Sequence, residues 1–458
     1  MNYAEKQKLI LNGKMLSVIW KLSLPLMVSN LIQTLFNLTD TYFVSQLGGS
    51  GVAALSITWN LIFVMMAVGI GFSIAGTSII SQLIGAGDHK DAQKVAGQAL
   101  SLSVLFALVM AVGGYLLAPN LVRLVGATGD LHTNAVTYIR IMFLGGPMMF
   151  AYFAFQSIKQ AQGDTLTPTI IGGLAVGLNI ILDPIFILHL DWGVAGAAYA
   201  TVLARSVFTI YAVGTLFLKD NGIRLRLSDL KLDKEIVTKI VRISLPSSTG
   251  MATSAVGFTI MNALILDYGQ AVLTAFALGS RISSLVMMPA MGIGGALATI
   301  VGQNMGADQN DRAKSAFWTS MGVSASIMLA SGLLVYPFIE VIAGLFTKEP
   351  EVINHAILNM RIIVLTLPLM AVFEVLNGLF QGSGHTKSAM IIQMGRLWAL
   401  RLPMIFLLKN FTTFGPLGVW YAMVASNFIT CVVGLLIYST GKWQTKVVKT
   451  QDKVALSS

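Results

Sequence analysis

The chain has 458 residues, 55% of them hydrophobic and 11% charged, with a mean hydropathy of +0.75. Soluble proteins carry about 25% charged residues, so this composition excludes an ordinary soluble globular protein. A formal charge of +10 would suit nucleic acid, but its distribution along the chain argues against that partner, and the single Cys431 excludes a disulfide framework or a multi-cysteine metal site.

The polar start "MNYAEKQKLILNGK" has no small-residue cleavage pattern, so the first apolar segment reads as a retained helix rather than a signal peptide. Predicted spans then follow at 15–46, 51–84, 92–118, 133–160, 166–190, 193–218, 237–268, 271–303, 312–338, 354–380, 387–408 and 415–440. Each is long enough to cross a hydrocarbon core of roughly 30 Å as a helix. Helix is required because lipid offers no partner to free backbone N–H and C=O groups. Numbering the connections alternately puts 20 Lys and Arg on the side of the N-terminus and only Arg123, Lys348 and Lys409 on the other. The positive-inside rule then places both termini in the cytoplasm. The basicity is mostly topological, with attraction to anionic lipid heads as a secondary role.

The chain is written twice. "KLSLP" at 21–25 returns as "RISLP" at 242–246, an offset of 221. At that offset Gln82, Gly85, Ala86 and Ala92 meet Gln303, Gly306, Ala307 and Ala313. Likewise Arg140 and Pro147 meet Arg361 and Pro368, and Gln160, Gly163 and Thr165 meet Gln381, Gly384 and Thr386. One residue further on, Gly193, Gly196, Tyr199 and Ala200 meet Gly415, Gly418, Tyr421 and Ala422. The expected fold is an all-α polytopic membrane protein: twelve transmembrane helices in two six-helix lobes related by a pseudo-twofold axis along the membrane normal. The expected division is a first lobe over 1–220, a cytoplasmic linker over 221–235, and a second lobe over 236–458 with a short cytoplasmic tail. Cargo binds at such a repeat interface in transporters. Residues present in both halves, including the glycines of "GIGFSIAG" and "GIGGALA", are expected to build the bundle. No strand precedes those glycines, so a dinucleotide site is excluded.

Three acids break the repeat. Asp40 maps onto Met261, Asp183 onto the neighbourhood of Leu402 to Met404, and Glu374 back onto Phe153. Asp40 stands in a stripe, Asn30, Gln33, Asn37, Asp40 and Thr41, whose spacing shares one helix face. Its counterparts, Met251, Ser254, Phe258, Met261 and Asn262, are much less polar. Asn179 and Asp183 repeat the pattern at i, i+4, and Pro184 directly after them favours a kink. A charged carboxylate at mid-membrane costs at least ~2.5–3.5 kcal/mol. Two carboxylates that share a dry site therefore tend to hold one proton between them. Asp40 and Asp183, if they face each other, form a proton carrier; Glu374 is a second-rank candidate that could attract a cation. The competing reading is a neutral, hydrogen-bonded carboxyl that fixes helix packing.

Other chemistry is thin. The histidines show no i, i+4 pair, and His385 in "QGSGHT" reads as a turn residue. No phosphate-binding loop suggests ATP, no nucleophile–base or metal-ligand spacing suggests an enzyme, and no cofactor is expected beyond a coupling ion. Met and Phe, 23 of each, would make an adaptable wall where they line a cleft.

With these residues in view, the chain resembles the multidrug and toxic compound extrusion (MATE) transporters over roughly 15–440. The motifs that carry the likeness are "LSLP", "NLTDTYFVSQLG", "QLIGAGD", "QAQGDTLTP", "NIILDPIF", "WGVAGAAYAT", "ALGSRISSL" and "FQGSGHTKSA". Asp40 together with "NIILDP" is most similar to the DinF branch. The resemblance implies a secondary antiporter that expels amphipathic, often cationic, drugs and dyes in exchange for H⁺ or Na⁺. It implies cation coupling at Asp40, within a cluster of Tyr138, Asn179, Asp183 and Thr201. In the Na⁺-coupled NorM branch an important acid lies in the tenth span; here Met370 stands there, with Glu374 one turn on. The expectation is therefore a proton-coupled multidrug antiporter of the inner (plasma) membrane, acting by alternating access between the two lobes as a monomer, with Gln33, Asn37 and Asp40 holding cargo. Sodium coupling through first-lobe oxygens is one alternative. A lipid-linked precursor flippase is the other, resting on Arg140, Arg205, Arg281, Arg361, Arg396 and Arg401 in or near spans.

Overall fold

The computed structural model describes residues 2–47, 49–218 and 222–448, with side chains at all of these except 49 and 50. Lys219, Lys449 and Lys453 of the basic loops lie outside the described residues. A short amphipathic helix, α1 (Tyr3–Asn12), precedes the membrane helices, its N-terminus closed by a capping box between Asn2 and Glu5. The first lobe is α2 (Met15–Ser45), α3 (Gly49–Gly85), α4 (His89–Leu124), α5 (Gly129–Ala161), α6 (Leu166–Pro184) and α7 (Gly193–Leu218). The second is α8 (Lys234–Leu266), α9 (Gln270–Gly306), α10 (Asn310–Val335) continued by α11 (Ile339–Phe346), α12 (Pro350–Gly382), α13 (Thr386–Met394) continued by α14 (Leu402–Phe411), and α15 (Leu417–Ser439). Among the described residues this makes 12 segments long and apolar enough to span a membrane. The protein is a multi-pass membrane protein with two six-helix lobes.

Two spans are not regular helices throughout. After Pro184 the fifth span widens into a π-helix over Ile185–His189, and the eleventh widens over Gly395–Arg401. The expected kink at Pro184 therefore takes the form of a wider turn, in which the backbone keeps partners despite the missing proline N–H.

The repeat is visible in backbone geometry. Gly163 and Gly384, paired by the offset, both adopt positive φ, 76° and 80°, at the ends of α5 and α12. Such left-handed residues terminate helices at little cost only when they lack a Cβ.

The lobes are tied together at the end that carries the basic loops. Val18, Ile19 and Leu22 of α2 pack in the second lobe's core beside Ile293 and Leu297, and Ile240 and Ile243 of α8 pack in the first lobe's core. Each lobe thus lends the start of its first helix to the other. Gln82 Nε2 donates to the Gly382 carbonyl (3.3 Å) and its twofold partner, Gln303 Nε2, to the Ala161 carbonyl (2.7 Å). Gly85 and Gly306 let α3 and α9 touch there: a Cβ on Gly85 would come within 2.7 Å of the Gln303 carbonyl carbon, and one on Gly306 within 2.8 Å of that of Gln82. The repeated glutamines and glycines are therefore seam residues between lobes, more specific than the bundle-building role expected of them.

Two straps cross the same end. Helix α1 is held to the first lobe by Lys6–Asp164 (3.1 Å) and Gln7 Nε2 to the Ile84 carbonyl (2.8 Å). It is held to the second lobe by Arg312, which donates to the carbonyls of Ile10 (3.1 Å) and Gly13 (2.5 Å). The tail after α15 buries Trp443, pairs Lys446 with Asp308 (2.6 Å), and reaches the first lobe, where Val447 N donates to Gln82 Oε1 (3.0 Å).

Candidate functional site

Above the seam, the polar stripe of α2 faces into the first lobe. Gln33, Phe36, Asn37, Asp40 and Thr41 line a cavity of about 250 Å³ together with Tyr138 from α5 and Thr201 and Arg205 from α7. The stripe needs no special backbone: residues three and four apart lie on one helix face. Gln33 Nε2 donates to Asn37 Oδ1 (3.3 Å), one turn along the same face. Asp40 is 8% exposed and Asp183 is fully buried. Asn179 Nδ2 donates to Asp183 Oδ1 (3.0 Å), fixing that carboxyl along α6.

The two acids neither share a hydrogen bond nor line one cavity. Asp183 lies within electrostatic reach of Asp40 but lines neither this cavity nor the larger one that adjoins it, whereas its hydrogen-bond partner Asn179 lines the larger. Four buried oxygens here have no hydrogen-bond partner among the described residues: Asp40 Oδ1 and Thr201 Oγ1 on residues of the smaller cavity, Asn179 Oδ1 on a residue of the larger one, and Asp183 Oδ2. A buried polar atom left unpaired costs about 1–3 kcal/mol. The two carboxyls among them, close enough to feel each other's charge, suit protons, and the all-oxygen set also suits a hard cation such as Na⁺.

A second, larger cavity of about 430 Å³ adjoins the first, sharing the walls Gln33, Phe36, Met66, Met149 and Arg205. Asn179 and Asn30 line it from the first lobe and Met251 and Gln381 from the second, so it lies at the repeat interface. Its floor is the seam, where Gln160 Nε2 donates to the Gly295 carbonyl (2.9 Å) and the Gln160 carbonyl accepts from Thr299 Oγ1 (3.1 Å). Met66, Met149, Phe153 and Phe208 supply soft and aromatic wall.

Glu374 stands apart. It lines neither cavity; its backbone packs on Gly294 of α9, and its charge is felt by Arg396, whose guanidinium lies 3.8 Å over the Phe373 ring. Met370 packs in an apolar cluster with Met287 and Met328. His385 sits in the turn expected of it, with Nε2 2.9 Å from Thr445 Oγ1 of the tail. Burial pushes its imidazole below the ordinary histidine value, partly offset by the Ser383 carbonyl.

Sequence reasoning missed the particular place of Arg205, which it grouped with five other arginines. Those others are engaged elsewhere or away from the cavities: Arg140 on the Tyr115 carbonyl (3.2 Å), Arg361 on Glu340 (2.7 Å), Arg401 on Ser426 (3.0 Å) and Asn427 (2.6 Å). The available signal was spacing, since Thr201 and Arg205 stand at i, i+4 and share a face. Tyr152, Gln160 and Gln381 of the cavity wall were also missed, the last two because both halves carry them.

Comparison with known proteins places this geometry. The MatE family model matches residues 25–185 and again 246–407, once per lobe. The chain is 28% identical over 445 residues to the probable multidrug resistance protein NorM of Thermotoga maritima, covering 95% of this chain and 94% of that protein. It is 24% identical over 421 residues to the multidrug export protein MepA of Staphylococcus aureus, covering 91% and 92%. Among solved structures, the outward-facing conformation of a multidrug resistance MATE family transporter superposes with a TM-score of 0.90 at 28% identity, covering 94% of this chain and 97% of that one.

Proposed function

The chain belongs to the MatE family of multidrug efflux transporters, and we propose that it is an H⁺-coupled antiporter whose coupling site is the first-lobe chamber around Asp40. The observation that carries this reading is a set of four unpaired buried oxygens at the repeat-interface cavities: on Asp40 and Thr201, which line the smaller cavity, on Asn179, which lines the larger, and on Asp183, which is hydrogen-bonded to Asn179 and within electrostatic reach of Asp40. Asp40 and Asp183 take up and release the proton, Asn179 fixes Asp183, and Tyr138 and Thr201 complete the chamber. Gln33, Asn37 and Asp40 face the cargo.

With the basic loops in the cytoplasm of a plasma (inner) membrane, the closed seam is the cytoplasmic one and the present conformation faces outward. Protons entering from outside neutralise the chamber and lower its hold on cargo. Because binding free energies are linked, cargo must displace protons to the same degree that protons displace cargo. Each inward charge adds about 2.3 kcal/mol per 100 mV. Rocking of the lobes then breaks the seam and lets the cavity load from the cytoplasm. A lipid-linked pyrophosphate would ask for a cluster of cations, whereas the larger cavity offers one.

The test is proton release. Adding a dye cargo to weakly buffered, detergent-solubilised protein should release protons from the wild type and almost none from Asp40→Asn. Equal release from both would remove Asp40 from the coupling role. The all-oxygen donor set favours Na⁺ as the second reading, in which cargo displaces Na⁺ and proton release is absent even in the wild type.

A further inference from the structure

The larger cavity contains a single charged side chain, and it is a cation. Among the residues lining its 430 Å³, Arg205 is the one ionic group and no carboxylate is present. Arg205 is in no ion pair and no hydrogen bond with a described residue; its guanidinium lies 4.9 Å over the Phe36 ring, on the wall shared with the Asp40 chamber. Arg205 is half-buried and its nitrogens stay open to the cavity, so they are free to meet an incoming anion, and a partly desolvated charge gains from meeting an opposite one. Asp40 is the one carboxylate that shares a cavity with Arg205; the two feel each other's charge across the smaller cavity without closing an ion pair.

We propose that Arg205 is the anion anchor of the cargo site, and that the favoured cargo is a zwitterionic aromatic amphiphile carrying a carboxylate or a similar planar anion. The inference rests on the efflux reading of this cavity and adds the substrate class to it. The guanidinium is a planar fork that meets a carboxylate with two parallel hydrogen bonds, a match a lysine would not give. Around it stand groups that donate to anions without charge, the side-chain amides of Gln33 and Gln156, and aromatic surfaces from Phe36 and Phe208. The Tyr152 hydroxyl is already committed to the Pro168 carbonyl (2.8 Å), so its ring serves as surface.

The arrangement sorts the two ends of such a cargo. The anionic end sits in the larger cavity on Arg205. The cationic end points through the shared wall at Asp40, where it competes with the proton. A plain monocation would also reach Asp40, but it would compete with Arg205 for that acid's charge, bring no anion of its own, and suffer repulsion from the guanidinium. Arg205 thereby gives selectivity among drugs, while the acids give coupling.

Rhodamine B, a zwitterion with a free carboxylate, and its ethyl ester, a monocation with the same chromophore, separate these effects. Binding of each dye to the detergent-solubilised full chain is read by fluorescence anisotropy, and transport of each into proteoliposomes is read under an imposed pH gradient. The wild type should bind rhodamine B about ten-fold or more tightly than the ester, a difference of about 1.4 kcal/mol. Arg205→Gln should abolish or invert that preference while ester binding holds or rises, and retained ester binding reports that the variant is folded. Arg205→Lys should keep the direction of the preference at reduced size. No preference in the wild type, or the same preference in Arg205→Gln, overturns the assignment. The binding measurement needs no gradient, so a carboxylate preference with no transport of either dye would refute the antiport reading and leave the anchor standing. Gradient-driven transport without the preference would do the reverse.

Discussion

Replacing Gly306 by alanine should pry the lobes apart at their basic end. The new Cβ would sit 2.8 Å from the Gln82 carbonyl carbon and 3.0 Å from the Ala86 nitrogen, both backbone atoms that cannot rotate away. Carbon pairs prefer about 3.5–4.0 Å, so α3 and α9 must separate by roughly 1 Å. The nearby seam bonds, 2.7 Å from Gln303 to Ala161 and 3.3 Å from Gln82 to Gly382, would then stretch past hydrogen-bonding range. At about 0.5–1.5 kcal/mol each, losing both shifts the open–closed equilibrium by about 1–3 kcal/mol, roughly 5- to 150-fold. Spin labels at Lys90→Cys and Asp311→Cys, both exposed at this end, in a Cys431→Ser background, would read the change as a longer component in the distance distribution by pulsed electron resonance. An unchanged distribution in Gly306→Ala would refute the seam as the element that closes this face.

Glu374→Gln should leave gradient-driven efflux within about two-fold of wild type, because Glu374 lines neither cavity; loss comparable to Asp40→Asn would move coupling into the second lobe. Asp164, outside the spans, provides a pH test of the α1 strap. Burial pushes its carboxyl up, but the Thr167 hydroxyl, the Lys6 charge and the Thr167 N–H together hold it below the ordinary value. Its contribution is therefore complete above the unfolded carboxylate value near ~3.9 and is lost as pH falls through the lower folded value. Asp164→Asn should cost about 1–2 kcal/mol at pH near ~7, and the gap in thermal unfolding from wild type should close toward pH ~3; a gap independent of pH would contradict the ion pair. Trp443→Ala, which empties a fully packed site stacked on Tyr438, should destabilise by about 3–5 kcal/mol and should free the tail to protease cleavage.

Much of this molecule could be read before folding. Long apolar runs dictate spanning helices, and a constant offset from Gln82 to Gln160 and their partners announces two lobes. The stripe from Asn30 to Asp40 was legible because helical spacing alone puts those residues on one face. What local pattern does not encode is which lobe a helix end packs against. Val18, Ile19 and Leu22 look like any first-span residues, and only the tertiary arrangement places them in the second lobe's core. For the same reason the repeated Gln82 and Gln303 read as scaffold, although they meet across the seam. Asp40 and Asp183 come within electrostatic reach of each other, but they do not line one cavity: Asp183 is held by Asn179 and lines neither, a tertiary detail that spacing along single helices does not encode. Arg205 was hidden among arginines of equal sequence prominence, because accessibility to a cavity is a property of the assembled lobe.

The central claim is that Asp40 exchanges a proton for cargo. Dye counterflow in proteoliposomes of wild type and Asp40→Asn, with a pH gradient and a Na⁺ gradient imposed separately, tests it most directly. The account predicts uptake driven by the pH gradient alone in the wild type, and none above background in Asp40→Asn. Uptake driven by the Na⁺ gradient alone, or pH-driven uptake preserved in Asp40→Asn, would contradict it.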